Sequence, residues 1–228
     1  KTLAGAVRNG AHNLQQQGLG RSERVAVYLE KNIENVAAMF GAAAAGATFV
    51  PVNPLLRPEQ VGYILNDCNV RVLVTSADRL HTLAPTLAGC PDLRAVAVTG
   101  DASAELPALP ADVAVLPWAA LMAAPLAPPA PHRVIDADMA AILYTSGSTG
   151  KPKGVVLSHR NMVAGARSVS LYLENTPDDR ILAVLPLSFD YGLSQLTTAF
   201  HAGATAVLIN HLLPRDVLNA VTAERITG

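Results

Sequence analysis

The chain has 228 residues, of which 50% are hydrophobic and 15% charged, and its formal net charge is -1. The mean hydropathy is +0.29 and the pI is about 6.6. This is the composition of a globular protein with enough apolar material for one core or two lobes. A nearly neutral chain lacks the positive surface that attracts DNA, RNA or an anionic membrane, so we expect none of these as a partner.

The cysteines indicate where the protein works, and the chain ends indicate a fragment. Cys68 and Cys90 fit neither a disulfide framework nor the spacing of metal ligands, so we expect buried, reduced thiols in a cytoplasmic protein. No secretory signal is visible. A chain that begins at Lys1 and stops at Gly228, where a helix would lead into its next strand, is expected to be a fragment of a longer protein.

Short apolar or β-branched runs alternate with segments of helical periodicity through the first part of the chain. The predicted helices lie at 3–18, 33–45, 58–68 and 77–87, and the predicted strands at 24–30, 48–52, 71–75 and 94–98. The apolar segment 35–52 is rich in Ala and Gly and predicts a packed helix followed by a buried strand, not a membrane span. The alternation predicts an α/β fold, with a largely parallel sheet covered by helices on both faces.

Residues 100–135 have a different composition, dense in proline and alanine. Because proline blocks regular strand pairing, we expect a long surface connection with little structure of its own. It divides the chain into a first α/β part, 1–99, and a second, 136–228. In the second part we predict strands at 139–145, 154–159, 180–187 and 204–210, a helix at 159–173 capped by Ser158, and helices at 191–203 and from Pro214.

The stretch "YTSGSTGKPKG", residues 144–154, connects two of the predicted strands. Glycines let backbone N–H groups turn toward one anion, hydroxyls add donors and lysines add positive charge, so the loop predicts a phosphate clamp. The alternative is a plain solvated hairpin loop, but this loop is longer than the connections of most hairpins. The residues concerned are Gly147, Gly150, Gly154, Thr145, Ser146, Ser148, Thr149, Lys151 and Lys153.

The loop differs from a Walker A motif. That motif needs four residues between its glycines, then Lys followed by Ser or Thr, and a helix directly after. Here Pro152 follows Lys151, and a strand follows the loop. Hydroxyls and lysines would therefore replace the helix N-terminus at the phosphates. Held only at its two strand ends, the loop could close over a nucleotide as a flap.

Three segments resemble the adenylate-forming (AMP-binding) superfamily of acyl- and aryl-CoA ligases, nonribosomal peptide adenylation domains and luciferases. They are "YTSGSTGKPKGVVLSHRN", "GAAAAGATFVPVNPLLRPEQVGYILNDCNVRVLVT" and "LPLSFDYGLSQL". The likeness covers essentially the whole chain and implies the front part of the large N-terminal domain of such an enzyme. The continuation "FDYGLSQLTTAFHAGATAVL" is similar to the acyl-CoA ligases associated with exosortase systems.

The resemblance implies an AMP-forming acid–thiol ligase that uses ATP and Mg2+. A carboxylate attacks the α-phosphate of ATP, and a thiol of CoA or of a carrier protein then accepts the acyl group. The magnesium-binding Glu and the acylation lysine are expected beyond Gly228, so we expect no metal site in this chain and no adenylate formation by residues 1–228 alone. Lys151 receives no role, and the residues implied at the β- and γ-phosphates or pyrophosphate are Thr145, Ser146, Gly147, Ser148, Thr149, Gly150 and Lys153.

Phe189 and Asp190 are the candidate substrate-binding residues. Many acyl-CoA ligases of the family have His at the position of Phe189, whereas amino-acid-activating members tend to have Phe-Asp, whose Asp binds an ammonium group. Tyr191-Gly192 continues more like the first type. Asp190 alone could also be a helix N-cap. Acyl-CoA ligase, amino-acid-activating domain and nucleotide-binding protein without catalysis thus stay open, in that order of preference.

The remaining polar candidates receive structural interpretations. His159 is expected to pack at a helix start, and Tyr144 is expected in the core with its hydroxyl satisfied. The other histidines share no spacing typical of a metal site or a catalytic triad: His12, His81, His132, His201 and His211.

Overall fold

The computed structural model describes residues 2–101, 105–124, 134–145, 151–211 and 213–228. The helices are α1 Leu3–Gln16, α2 Ile33–Ala44, α3 Pro58–Asp67, α4 Ala77–Leu87, α5 Trp118–Leu121, α6 His159–Tyr172, α7 Asp190–Ala202 and α8 Pro214–Ala223. The strands are β1 Arg24–Tyr28, β2 Thr48–Pro51, β3 Val70–Ser76, β4 Ala95–Thr99, β5 Ala114–Pro117, β6 Met139–Thr145, β7 Lys153–Ser158, β8 Arg180–Ala183 and β9 Thr205–Leu208.

Seven of the strands form one sheet in the order β5-β4-β3-β1-β2-β6-β7, and β8 and β9 form a separate parallel pair. Every neighbouring pair in the large sheet is parallel except β6 and β7, which are antiparallel. Parallel neighbours require crossover connections, and these are the predicted helices. The predicted α/β fold with a largely parallel, helix-covered sheet is confirmed.

The large sheet is buried on both faces because successive side chains of a strand point to opposite sides. In β1, Val25 and Val27 join an apolar cluster with residues of α1 and α2. Ala26 and Tyr28 join a second cluster with residues of α3 and α4. Continuous apolar strands in the sequence therefore correspond to two cores, one on each face.

The expectation for the proline-rich segment 100–135 is wrong in its described part. β5 pairs in parallel with β4, and α5 follows it directly. Proline is tolerated because β5 lies at the edge of the sheet and Pro117 ends it. The Asn13 side chain on α1 donates to the Leu121 carbonyl at 2.7 Å, which fastens this segment to the first core.

The apolar segment 35–52 folds as predicted, with most of α2 followed by the buried strand β2. No helix in the described part of the chain is both long and apolar enough to cross a bilayer. β6 pairs with β2, so the large sheet includes strands from both sides of residues 100–135. The division into 1–99 and 136–228 stays a prediction.

The second part of the chain follows the predicted order with shorter strands. The Asn161 N–H donates to the Ser158 hydroxyl at 3.1 Å, which confirms Ser158 as the cap of α6. β8 ends at Ala183, not at residue 187, because the backbone then turns through 184–189 into α7. Leu193 and Leu196 of α7 pack into the first core, whereas α8 has no buried residue.

Candidate phosphate-binding site

The predicted phosphate loop connects β6 and β7, the antiparallel hairpin at one edge of the large sheet. Thr145 is the register partner of Lys153, and Tyr144 is the partner of Gly154. Two predicted site residues, Thr145 and Lys153, therefore lie opposite each other at the two ends of the loop. The other predicted phosphate-binding residues lie outside the described residues: Ser146, Gly147, Ser148, Thr149 and Gly150.

Gly154 provides space for its neighbours. Its φ lies outside the positive range that Gly18, Gly46, Gly100 and Gly203 adopt. A Cβ there would lie 2.7 Å from Cγ2 of Ile142 and 3.3 Å from the ring of Tyr144. The absent side chain thus lets the Tyr144 ring lie across the hairpin.

Helix α3 contacts both ends of the loop. The Tyr144 hydroxyl donates to Oδ2 of Asp67 at 2.6 Å. The Tyr63 hydroxyl lies 3.2 Å from the carbonyl oxygen of Pro152 and 3.3 Å from Oδ1 of Asp67. The Lys151 ammonium lies 5.8 Å from the centre of the Tyr63 ring, within the range of a cation–π contact.

Both tyrosines of this cluster remain neutral donors. Burial, and then the neighbouring Asp67 carboxylate, raises the pKa of Tyr144. The same two causes raise the pKa of Tyr63. The prediction that the Tyr144 hydroxyl is satisfied is confirmed, with Asp67 as its partner. Sequence reasoning missed Tyr63 and Asp67, although their spacing of four residues on a helix is a signal for a side-chain pair.

Phe189 and Asp190 lie at the start of α7. Phe189 is the N-cap, since its backbone is extended and its carbonyl accepts from the Leu193 N–H at 2.9 Å. Asp190 is the first helical residue, so the interpretation of Asp190 as N-cap is wrong by one position. A carboxylate there is still favoured by the helix dipole. Asp190 borders a small cavity of about 80 Å³ together with residues of α6, among them Asn161.

A larger cavity of about 520 Å³ lies where the carboxyl ends of β1, β2, β8 and β9 approach one another. Its lining includes Lys31, Asn53 and Ser188, but neither Phe189 nor Asp190. The Ser188 hydroxyl is buried and has no hydrogen-bond partner among the described residues. Carboxyl ends of strands and unpaired polar groups are typical of small-molecule sites in α/β proteins.

Lys31 connects the two sheets beside this cavity. Its ammonium donates to the Ala183 carbonyl at 2.7 Å and also to the Val184 carbonyl. Its backbone carbonyl accepts from the Asn210 amide at 3.0 Å. Burial lowers the pKa of Lys31 to about 8, against a smaller opposing effect of Glu30.

The cysteines and histidines form no reactive centre in the described part of the chain. Cys68 and Cys90 are buried free thiols, as predicted, and burial raises the pKa of both, that of Cys68 to about 11. Within the described ranges, no group of three or more His, Cys, Asp or Glu side chains could hold a metal ion. His132 lies outside the described residues.

Comparison with known proteins identifies the family of this chain. A family model described as "AMP-binding enzyme" matches residues 1–228. The chain belongs to this family. It is 36% identical over 192 residues to the sulfoacetate–CoA ligase of Cupriavidus necator, covering 83% of this chain and 35% of that protein. It is 33% identical over 228 residues to the phosphinothricin tripeptide synthetase PhsC of Streptomyces viridochromogenes, covering 99% of this chain and 19% of that protein.

Solved structures show the same fold. The crystal structure of the anthranilate CoA ligase AuaEII, in complex with anthranoyl-AMP, superposes with a TM-score of 0.86 at 24% identity. The superposition covers 99% of this chain and 43% of that chain. The resemblance to the adenylate-forming superfamily is thus confirmed, and the chain spans about a third or less of the length of the two curated relatives above. The narrower resemblance to exosortase-associated ligases stays a prediction.

Proposed function

We propose that this chain forms the phosphate-binding part of an ATP-dependent, AMP-forming acid–thiol ligase, with an acyl-CoA ligase as the preferred form. One observation carries the proposal. In a member of the AMP-binding family, the β6–β7 hairpin places Thr145 opposite Lys153 at the ends of a loop of glycines, hydroxyls and lysines.

The reaction would proceed in two displacements. A carboxylate oxygen bonds to the α-phosphorus of ATP, the bond to the bridging oxygen breaks, and pyrophosphate leaves. A thiol then attacks the acyl carbonyl, loses its proton, and AMP leaves with the bonding electrons. Positioning and charge neutralisation dominate such phosphorus chemistry, so hydroxyl donors and a lysine suffice as the contribution of the loop.

In this scheme Thr145 and Lys153 bind the β- and γ-phosphates or the departing pyrophosphate, together with loop residues 146–150. Lys151 has no assigned role, and its position over the Tyr63 ring directs it toward α3. Mg2+ would be held by the substrate phosphates together with the Glu expected beyond Gly228.

The carboxylic acid would bind near Phe189 and Asp190, at the start of α7. Residues 185–188, which precede Phe189 directly, line the larger cavity. That cavity, of about 520 Å³, has room for a group the size of a small acyl chain or part of a thiol cofactor.

The test is ATP–pyrophosphate exchange by the protein that contains residues 1–228, across fatty, aryl and amino acids. We expect exchange that depends on one class of acid. Lys153→Met should lower kcat/KM for ATP by about 100-fold, in the range typical for loss of one charged donor to a transferring phosphoryl group. Lys151→Met is the matched control and should change it by less than about threefold, because its ammonium contacts α3.

Each result has a defined meaning. ATP binding without exchange for any acid would replace the ligase by a nucleotide-binding protein without catalysis. Equal losses in the two lysine variants would remove the special role of Lys153. Exchange without dependence on any added acid would contradict acid activation altogether.

Amino-acid activation is the second candidate, because Asp190 lies exposed in the first turn of α7, where its carboxylate has no side-chain partner among the described residues and could accept from an ammonium. If it is correct, Asp190→Asn should raise KM for the amino acid by about 100-fold and leave KM for ATP unchanged. Asp178→Asn, at an exposed carboxylate in the turn after α6, is the matched control. Exchange with fatty or aryl acids alone, unaffected by Asp190→Asn, would favour the acyl-CoA ligase.

A further inference from the structure

The Asp67 carboxylate joins the phosphate hairpin to a rigid helix. Val61, Ile64 and Leu65 of α3 are at most 1% exposed and pack in the second core. Asp67 lies at the last position of the same helix. A group at the end of a helix with one face packed in the core is a fixed reference point for strand β7, whose residues 153–156 are exposed.

Both ends of the loop contact α3, but among the described residues only the incoming strand contacts Asp67 itself. On the incoming strand, Tyr144 donates to Asp67 at 2.6 Å, one residue before Thr145. On the outgoing side, the Tyr63 hydroxyl reaches the Pro152 carbonyl at 3.2 Å, one residue before Lys153. Because the Tyr63 hydroxyl has one proton, it donates either to Pro152 or to Asp67 at 3.3 Å.

We propose that Asp67 is a positioning residue for ATP, which holds Tyr144 and, through the pairing of β6 with β7, the end of the hairpin that carries Thr145 and Lys153. It does not contact the phosphates itself. A phosphate clamp works only when its donors keep their positions to within about half an ångström. Losing the α3 contact therefore weakens nucleotide binding more than it changes the chemical step. This inference rests on the proposed function, because Asp67 can position donors for ATP only if the chain binds ATP.

The kinetic test uses ATP–pyrophosphate exchange by the protein that contains the chain. We expect Asp67→Ala to raise KM for ATP by about tenfold and Tyr144→Phe by about fivefold, both with kcat changed less than twofold. The double variant should raise KM for ATP by about tenfold, not fiftyfold, because both substitutions remove the same Tyr144–Asp67 contact. Glu59→Gln, at an exposed carboxylate in the first turn of α3, is the matched control and should leave KM unchanged.

A second readout does not need catalysis. Trypsin cleaves after Lys153 but not after Lys151, which precedes proline. Without nucleotide, Asp67→Ala should raise the rate of cleavage after Lys153 by about tenfold relative to cleavage after Arg215 in α8. Asp67→Asn, which keeps an acceptor for Tyr144, should restore most of the protection even if the alanine variant folds poorly.

The outcomes separate this inference from the proposed function. If the wild-type protein shows no exchange with any acid, the proposed function fails, and the cleavage rate after Lys153 then decides only whether Asp67 fixes the hairpin. If KM for ATP stays constant in active Asp67→Ala and Tyr144→Phe variants, or if their effects multiply, the positioning role is wrong. Unchanged cleavage after Lys153 would likewise overturn it.

Discussion

The two sheets of this protein contrast in how completely they are buried. The central strands of the large sheet lie between two apolar clusters, and Val25, Val50 and Leu73 are fully buried. In the two-stranded sheet, β8 is buried but β9 is only half-buried, and Leu218 of α8 is 69% exposed. The same alternation of strand and helix therefore produces a sheet buried on both faces in one region and a more exposed layer in the other.

The candidate sites lie where these two regions meet or at the edge of the larger one. The larger cavity borders strand ends of both sheets, and the phosphate hairpin is the edge of the seven-stranded sheet. A rigid core can hold reacting groups in place, whereas a less buried element can adjust to a ligand. Substrate contacts between the two sheets therefore depend on a few specific side-chain contacts, and each contact can be tested by substitution.

The largest effect is expected from the aromatic residues that flank Phe40. Its ring centre lies 6.2 Å from that of Phe49 in β2 and 5.5 Å from that of Phe200 in α7. Phe49 is 1% exposed and Phe200 41% exposed. Phe49→Ala should lower the free energy of unfolding by about 4 kcal/mol, because it leaves a cavity in the core, and Phe200→Ala by about 1 kcal/mol.

Urea denaturation of the two phenylalanine variants measures this difference. Equal losses would mean that α7 is as much a part of the first core as β2. That result would abolish the contrast between the two regions.

A smaller effect is expected where α7 meets the turn before it. A Cβ on Gly192 would lie 2.0 Å from the Pro186 carbonyl oxygen, whereas a Cβ on Gly165 of α6 would meet nothing within 4 Å. Gly192→Ala should therefore shift residues 185–190 and destabilise the protein by about 3 kcal/mol. Gly165→Ala should stabilise α6 by about 0.5–1 kcal/mol, since alanine is the better helix former.

The Gly192 variant also reports on function. Gly192→Ala should impair acid binding through the displaced Phe189 and Asp190, whereas Gly165, which lines the small cavity beside Asp190, serves as a control for stability only. A stable, fully active Gly192→Ala protein would show that the turn before α7 can move without cost. The close packing of residues 185–190 against α7 would then not be required for acid binding.

Local chemistry made much of the fold and part of the site predictable. Apolar runs and helical periods predicted the alternating elements, and Ser158 predicted the start of α6. The hairpin ends were predictable because glycines, hydroxyls and lysines stand between two apolar runs. The sequence predicted Asp190 as the N-cap of α7, whereas Phe189 is the N-cap and Asp190 is the first helical residue. An error of one residue is usual for a helix boundary.

The features that the sequence did not predict depend on contacts between distant segments. β5 forms although its region is rich in proline, because β4 offers an open edge and Asn13 binds the following turn. The Asp67–Tyr144 contact joins residues 77 positions apart. The sequence assigns Gly154 to the phosphate clamp, but a side chain there would also collide with Ile142 and the Tyr144 ring. None of these contacts leaves a local pattern in the sequence.

Lys31 offers the smallest but most specific test, because it alters a single link between the two sheets. Its ammonium donates to the carbonyls of Ala183 and Val184. Lys31→Met should lower the free energy of unfolding by about 1–2 kcal/mol near neutral pH, since these carbonyls lose their donor. Asn210→Ala, which removes the neighbouring link without a titratable group, is the matched control.

The pH dependence then distinguishes the lysine from the asparagine. Burial lowers the pKa of Lys31 from 10.5 to about 8, so between these pH values the unfolded chain holds a proton that the folded protein has released. Wild-type stability therefore gains from this group as pH rises through the window, and the variant lacks that gain. Urea denaturation at pH 7.5 and pH 10 should show a larger loss for Lys31→Met at the higher pH and a constant loss for Asn210→Ala. A constant loss for both would mean that Lys31 keeps its charge in the folded protein and joins the sheets as an exposed lysine would.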